Sequence, residues 1–206
     1  MSTRHLSSLV ARLAVGTACV IASASCGSEM LRTGRSPVYL VVESVAGLDA
    51  TGGSVSFVQS DVRDDTGSVV NDNVKLTVRA ELKNPTVPGT GINAVTLTRY
   101  HVDYRRTDGR NTPGVDVPYS FDGGMSVTVQ ADSTAEVAFE IVRHQAKLEP
   151  PLKNLDGLNS TGERLISGIG FLSTIAEITL YGHDGNGNEV SAHAQVDVHF
   201  GDFASK

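Results

Sequence analysis

The sequence predicts an all-β chain built from two antiparallel sheets. Between residues 38 and 200, apolar and polar residues alternate with a period of two, which is typical of strands with one buried face. Turn signals rich in glycine and aspartate separate these stretches at short intervals. No long helical patterns alternate with the strands, which argues against a parallel α/β sheet. We therefore expect an antiparallel sandwich of about eight strands, with a small closed barrel as the alternative.

The stretch from Val74 to Leu82 shows the alternation most clearly. Its even positions are all apolar, whereas its odd positions carry lysine, threonine, arginine and glutamate. The same pattern predicts strands over residues 38–45, 55–58, 127–131, 135–142, 172–180 and 190–200. Turns are predicted at residues 50–53, 64–67, 108–109, 122–124 and 184–188, where glycine supplies the backbone freedom that a tight reversal needs.

Two stretches depart from the simple strand pattern. Apolar residues occupy odd positions up to Leu97 and even positions from Tyr100 onward, so we expect a β-bulge between Thr98 and Arg99. Residues 145–168 contain Pro150-Pro151, followed by leucines at helical spacing at positions 152, 155 and 158. This stretch predicts a crossover with one or two short helical turns, which covers a sheet edge or an open end of the sandwich.

The first 25 residues predict secretion. Arg4 and Arg12 give a positively charged start, and an apolar run too short to span a bilayer permanently follows it. Ser23-Ala24-Ser25 before Cys26 resembles the lipobox of bacterial lipoproteins. The resemblance implies that residues 1–25 are removed and that Cys26 is lipidated, with palmitate among its acyl chains. The protein would then be anchored in the bacterial cell envelope, as an outer-membrane lipoprotein on an unspecified side of the membrane. The alternative is ordinary cleavage after Ala24, which leaves Cys26 as a free thiol.

The mature chain divides into two parts. Residues 26–37 form a lipidated cysteine and a short tether, and residues 38–203 form the β-sandwich domain. Cys19 lies in the removed segment, so an internal disulfide is excluded and stability must come from a packed core. Removal of residues 1–25 changes the net charge from -6 to -8, because two arginines and no acids are lost. An acidic domain is a poor general binder of nucleic acid, so the membrane contact is expected through the acyl chains.

Three runs of the mature chain resemble a group of uncharacterised bacterial lipoproteins that have a single immunoglobulin-like domain. They are residues 104–119, residues 181–190 and the closing stretch from Val198 to Phe203. The resemblance implies an immunoglobulin-like sandwich and brings no activity with it. A weaker likeness, to late-embryogenesis-type desiccation domains, rests on Leu82-Lys-Asn-Pro85 and Gln130-Ala-Asp132. It agrees with the β fold and adds nothing to the function.

One basic and aromatic cluster is the candidate ligand-binding site. It consists of Arg99, Tyr104, Arg105, Arg106 and Arg110, which surround the Asp108-Gly109 turn. Guanidinium groups beside phenol rings can recognise carboxylates, phosphates or acidic sugars. The alternative is that the tyrosines fill the core while the arginines cover acidic neighbours on the surface.

Two weaker groups of residues suggest metal ions. Asp184, Asn186 and Asn188 alternate like the oxygen ligands of a calcium loop, although a hairpin turn would use the same residues. His193, Asp197 and His199 lie on the outward face of the last predicted strand. Either His183 or His144 is a possible further ligand for a zinc ion there. A polar, solvent-facing strand explains them equally well.

The sequence favours a protein without catalytic activity. It contains no Gly-x-Ser-x-Gly elbow, no His-Glu-x-x-His and no phosphate-binding glycine loop. We therefore expect an anchored binding or scaffolding protein that needs no cofactor and contacts an envelope protein or an anionic glycan. The contact would use the arginine cluster or an exposed sheet edge. The alternatives are a metal-dependent envelope hydrolase and a calcium-stabilised structural domain.

Overall fold

The computed structural model describes residues 34–64, 66–156 and 170–203. Within these ranges the chain forms nine strands and three short helical turns, which confirms the all-β prediction. The strands are β1 (Val38–Leu48), β2 (Ser54–Val55), β3 (Val58–Asp61), β4 (Asp72–Leu82), β5 (Val95–Arg105), β6 (Phe121–Val129), β7 (Ser133–Val142), β8 (Leu172–Asp184) and β9 (Glu189–Gly201). The helical elements are a 3-10 turn at Gly91–Asn93, helix α1 (His144–Lys147) and a second 3-10 turn at Leu152–Leu155.

The strands form two sheets, with neighbours in the orders β2-β1-β4-β7 and β3-β9-β8-β5-β6. The stretch predicted as one strand over residues 55–58 is divided between β2 and β3, which belong to different sheets. β3 runs parallel to β9, with Val58 opposite Val198, so the prediction of a purely antiparallel arrangement is wrong at this edge. The reason is the chain path, because residues 56–57 carry the chain from β2 at the edge of one sheet to β3 at the edge of the other, where it meets β9.

A single apolar core lies between the two sheets. Leu76 and Val78 project into it from the four-stranded sheet, and Leu97, Ile178 and Phe200 project from the five-stranded sheet. All five side chains are buried. The even positions of β4 face this core, as the alternation predicts.

The predicted bulge is present in β5. The register with β8 shifts between Leu97 and Arg99, so three residues of β5 oppose two of β8. Thr98 and Arg99 are both exposed, whereas Tyr100 is buried. The bulge therefore keeps the apolar residues on both sides of it in the core and directs Arg99 to the outer face of the sheet.

Three turns share one construction, in which an aspartate carboxylate holds the backbone of the next four residues. In the turn before β2, Asp49 Oδ1 accepts hydrogen bonds from the backbone nitrogens of Thr51 and Gly53, at 2.8 and 2.7 Å. Asp64 and Asp184 make the equivalent bonds in their own turns. Glycine occupies the fourth position each time, with φ between 79° and 83°. Only glycine adopts that backbone conformation without strain, which explains the recurring Asp-x-x-Gly pattern.

The crossover after β7 contains the two short helical turns that the sequence predicts. Leu152 is fully buried and Leu155 packs against the core, whereas Leu158 lies outside the described residues. Lys147 at the end of α1 is also buried. Its Nζ lies 2.9 Å from Asp72 Oδ2 in β4 and donates a 2.7 Å hydrogen bond to the Asp61 carbonyl oxygen in β3. The lysine therefore connects the crossover to both sheets.

Candidate binding surface

The structure places the predicted arginines at the surface but not as one cluster. Arg99 and Arg105 both project from the outer face of β5, and their side chains are 50% and 46% exposed. Arg106 and Arg110 belong to the loop that follows β5. Tyr104 points the other way, into the core, where its hydroxyl donates a 2.5 Å hydrogen bond to the Ile141 carbonyl oxygen. Burial raises the pKa of Tyr104, and the structure does not bring this residue together with the arginines.

Arg99 is held in a fixed position on the outer face. Its Nη1 lies 2.8 Å from Asp122 Oδ1 on β6, and its guanidinium carbon lies 4.0 Å from the ring centre of Tyr181 on β8. His101 contacts the same Asp122 oxygen at 3.3 Å. The ion pair and the stacked ring together order an arginine that would otherwise be mobile. Sequence reasoning missed Tyr181, although its odd position in β8 marks it as facing outward.

The other three arginines also have carboxylate partners. Arg105 Nε lies 2.7 Å from Glu177 Oε1 on β8. Arg106 forms a two-pronged ion pair with Asp108, and this hydrogen bonding holds the pKa of Asp108 below its usual range. Arg110 lies within 3.7 Å of carboxylate oxygens of Asp108 and Asp116. These pairs match the alternative reading of the sequence, in which the arginines cover acidic neighbours.

The outer face of the five-stranded sheet carries a mixed set of large polar side chains. We call it the recognition face and define it by Arg99, His101, Arg105, Tyr181 and His193. Across the strands, His101 is opposite Thr179, which in turn is opposite His193 and contacts it at 3.1 Å. None of the five strands contains a lysine. Arginine and tyrosine are enriched at protein interfaces and lysine is depleted, although the carboxylates of Asp122 and Glu177 on the same face belong to depleted residue types.

The residues of the predicted calcium loop brace a hairpin. Asp184 is 1% exposed, and its carboxylate accepts hydrogen bonds from the backbone nitrogens of Asn186 and Asn188, both at 2.9 Å. The side-chain amide of Asn188 also donates to both carboxylate oxygens, at 3.2 and 2.9 Å. The amide group therefore directs hydrogen-bond donors, rather than an oxygen, toward the place where a cation would lie. The geometry favours the hairpin reading over the calcium reading.

These hydrogen bonds predict an acid-sensitive contribution to stability. Burial opposes ionisation of Asp184, but the hydrogen bonds from Asn188, Ser36 and Asn186 outweigh it and lower the pKa of the carboxyl. A lowered pKa in the folded state contributes stability above the unfolded pKa of about 3.9, and this contribution is lost as the pH falls below that value. We expect Asp184→Asn to lose less stability than the natural chain between pH 6 and pH 3, as urea unfolding at each pH measures. Equal losses in both chains would contradict the prediction.

The histidines of the predicted zinc site do not converge. The ring of His199 packs between Phe57 and Phe171, with ring centres 5.1 and 5.5 Å away. His183 contacts the carbonyl oxygen of Asp184, and His144 contacts Asn71. Within the described residues, no three His, Cys, Asp or Glu side chains lie close enough together to hold a metal ion. The histidines instead have separate local contacts.

The predicted signal peptide and Cys26 lie outside the described residues, so the structure does not test them. Among the helical elements at positions 34–64, 66–156 and 170–203, none is long and apolar enough to cross a membrane.

Comparisons with known proteins do not name a family. No family model matches the chain, and no curated protein matches it. One of the solved structures that the chain matches is described as "X-ray structure of Northeast Structural Genomics Consortium target SoR45". It shares 8% sequence identity with this chain at a TM-score of 0.34, over 81% of this chain and 87% of the other.

Proposed function

We propose that this chain is a non-catalytic binding or scaffolding protein of the bacterial cell envelope, anchored through a lipidated Cys26. Its partner is a protein, which it contacts through the recognition face. The observation that supports this proposal best is the ordered position of Arg99, between Asp122 at 2.8 Å and the Tyr181 ring at 4.0 Å. Side chains that are already ordered lose little conformational entropy on binding.

The charge distribution favours a protein partner over an anionic glycan. Arg99, Arg105, Arg106 and Arg110 each have a carboxylate within 3.7 Å, so their charges are largely compensated. A polyanion needs cationic groups that are available to it, whereas a protein partner can match a face of mixed charge. Glycan binding therefore becomes an outcome of the test rather than the leading expectation.

We also propose that the two sheets form an immunoglobulin-like sandwich. In such domains, strands A, B and E lie in one sheet and strands G, F and C in the other, with C′ added beside C in variable-type domains. The order β1-β4-β7 corresponds to A-B-E, and the order β9-β8-β5-β6 corresponds to G-F-C-C′. This agreement supports the proposal. The chain has no cysteine pair in the mature part and no tryptophan, so a core of the antibody type is not implied.

A pair of double variants tests the recognition face. We expect Arg99→Ala combined with Tyr181→Ala to weaken partner binding at least about tenfold. Arginine and tyrosine side chains that a partner covers carry much of the binding energy of protein interfaces. The measurement is chemical crosslinking in intact cells, followed by titration of the captured partner. The control is Arg79→Ala combined with Val41→Ala, which removes an arginine and an exposed apolar side chain that lie opposite each other on the outer face of the other sheet. Equal weakening in both variants, or binding only to acidic polysaccharide, would contradict the proposal.

Cell fractionation tests the anchor. We expect the natural chain to remain with the membrane and the Cys26→Ser variant to be released. The variant lacks the cysteine that carries the acyl chains, and stable anchoring requires more than one such chain. Protease treatment of intact cells then reports which side of the membrane the domain faces. A chain removed by protease faces outward, and a protected chain faces the periplasm. Membrane retention of Cys26→Ser would contradict the anchor.

A further inference from the structure

The connection between β4 and β5 begins with Lys83, and its remaining residues, 84–94, form a loop with the first 3-10 turn and no charged residue. In the whole chain, 19% of the residues are charged, yet none occurs from Asn84 to Thr98. Two aliphatic side chains of this loop project into solvent, with Val87 51% and Ile92 56% exposed. Single exposed aliphatic side chains are common on protein surfaces, but two within six residues give this uncharged loop an apolar character.

The loop is held in one conformation. Asn84 Oδ1 accepts hydrogen bonds from the backbone and hydroxyl of Thr86, at 3.1 and 2.7 Å. Asn93 Oδ1 accepts a 3.0 Å bond from the backbone of Thr90. The backbone of Ile92 is fixed from outside the loop, because the Gly185 nitrogen in the β8–β9 turn donates a 2.9 Å bond to its carbonyl oxygen. These bonds order the backbone beside Val87 and at Ile92, so the loop presents both side chains from a fixed backbone.

The segment that leads into the domain from the N-terminus lies at the same end of the sandwich as this loop. Lys83, immediately before the loop, donates from Nζ to the Gly34 carbonyl oxygen at 3.1 Å and from its backbone nitrogen to the Pro37 carbonyl oxygen at 2.9 Å. Only eight residue steps separate Gly34 from Cys26. An extended chain of that length spans at most about 29 Å. A lipid on Cys26 would thus keep this end, rather than the opposite one, near the bilayer.

We propose that the loop at residues 84–94 is a membrane-contacting surface, which sets the orientation of the domain on its lipid anchor. Val87 and Ile92 enter the boundary between headgroups and acyl chains. Lys83 and the exposed Arg35 face the lipid phosphates, and Tyr39, 57% exposed beside Lys83, lies at the interface. This inference rests on the proposed anchor at Cys26. Two aliphatic side chains are too few to hold the domain by themselves, so their effect is on orientation rather than on retention.

The chain contains no tryptophan, so one introduced tryptophan reports its own surroundings without background. We would place Ile92→Trp in the loop and Thr51→Trp in the exposed turn at the far end of β1, as the matched control. Each lipidated mature chain is reconstituted into vesicles of phosphatidylethanolamine and phosphatidylglycerol that contain brominated acyl chains. We expect the emission of Ile92→Trp to shift to shorter wavelength and to be quenched by bromine, whereas Thr51→Trp keeps its solvent-exposed emission.

Vesicle flotation is measured on the same samples, so that a failure of the anchor at Cys26 can be distinguished from a failure of the loop to contact the membrane. Protein that does not float with the vesicles would overturn the anchor at Cys26, and the orientation with it. Protein that floats, but whose tryptophan at position 92 stays in water as the tryptophan at position 51 does, would overturn the membrane contact alone. Quenching at both positions would also overturn it, because the domain would then have no fixed orientation. Thermal melting of each variant confirms that the exposed substitutions leave the fold intact.

Discussion

Replacing Lys147 with methionine should lower the free energy of unfolding by about 3–5 kcal/mol, because it leaves a buried carboxylate without its partner. The Asp72 side chain is 14% exposed, and burial already raises its pKa against the opposing effect of Lys147. Urea unfolding of the mature chain carrying Cys26→Ser measures the loss. The control is Lys75→Met, which removes a surface lysine paired with Glu136 at 3.3 Å and should cost at most about 1 kcal/mol.

The second half of this experiment removes both charges. The double variant Lys147→Met with Asp72→Leu should recover most of the lost stability, because well-packed apolar residues commonly replace a buried ion pair at little or no cost. The hydrogen bond to the Asp61 carbonyl is lost in either case. A double variant that is as unstable as the sum of the two single variants would show that the ion pair does not act as a unit.

Phe200→Ala is the second substitution with a large expected effect, about 3–5 kcal/mol of unfolding free energy. The ring is fully buried and meets Tyr104 edge to face, with ring centres 5.9 Å apart. It lies on β9 opposite Leu172 of β8 and Ser60 of β3, so the cavity would weaken contacts among three strands. Differential scanning calorimetry or urea unfolding gives the value.

Phe171→Ala is the matched control for this change. Phe171 is 63% exposed, although its ring stacks against His199. Its removal takes little area out of the core and should cost less than about 1 kcal/mol. Similar losses from the two phenylalanines would mean that Phe200 does not occupy the well-packed position described above.

The two surfaces proposed above would act together in the envelope. Strands β5, β8 and β9 begin or end near the loop at residues 84–94, since Val95 is opposite Asp184. If that end meets the bilayer, the recognition face stands upright beside the membrane, and Arg105 lies farther from the lipid than Arg99. Anchoring restricts the search for a membrane-bound partner to a thin layer, which raises its effective concentration.

Local patterns in the sequence determined most of the strands, the bulge and the turns at residues 50–53, 64–67, 108–109 and 184–188. The turn predicted at residues 122–124 is wrong, because these residues lie within β6 and pair with β5. The alternation over Val74 to Leu82 places apolar side chains on one face whatever the strand packs against. The change of phase between Leu97 and Tyr100 required an extra residue in the strand, and it also placed Tyr104 on the inward face with Tyr100. In the Asp-x-x-Gly turns, the bonds from backbone nitrogens to the aspartate carboxylate all lie within five residues. Each of these features is decided by neighbours along the chain.

Contacts between distant residues decided the rest. Nothing near residues 55–58 indicates that β3 leaves the sheet of β2 and runs parallel to β9. The meeting of Arg99 with Tyr181 depends on the pairing of β5 with β8, and the burial of Lys147 depends on Asp72, which lies 75 positions earlier. A period-two pattern specifies which face of a strand is apolar, but not which strand lies beside it. Tertiary packing alone therefore brought these side chains together and made a lysine part of the core.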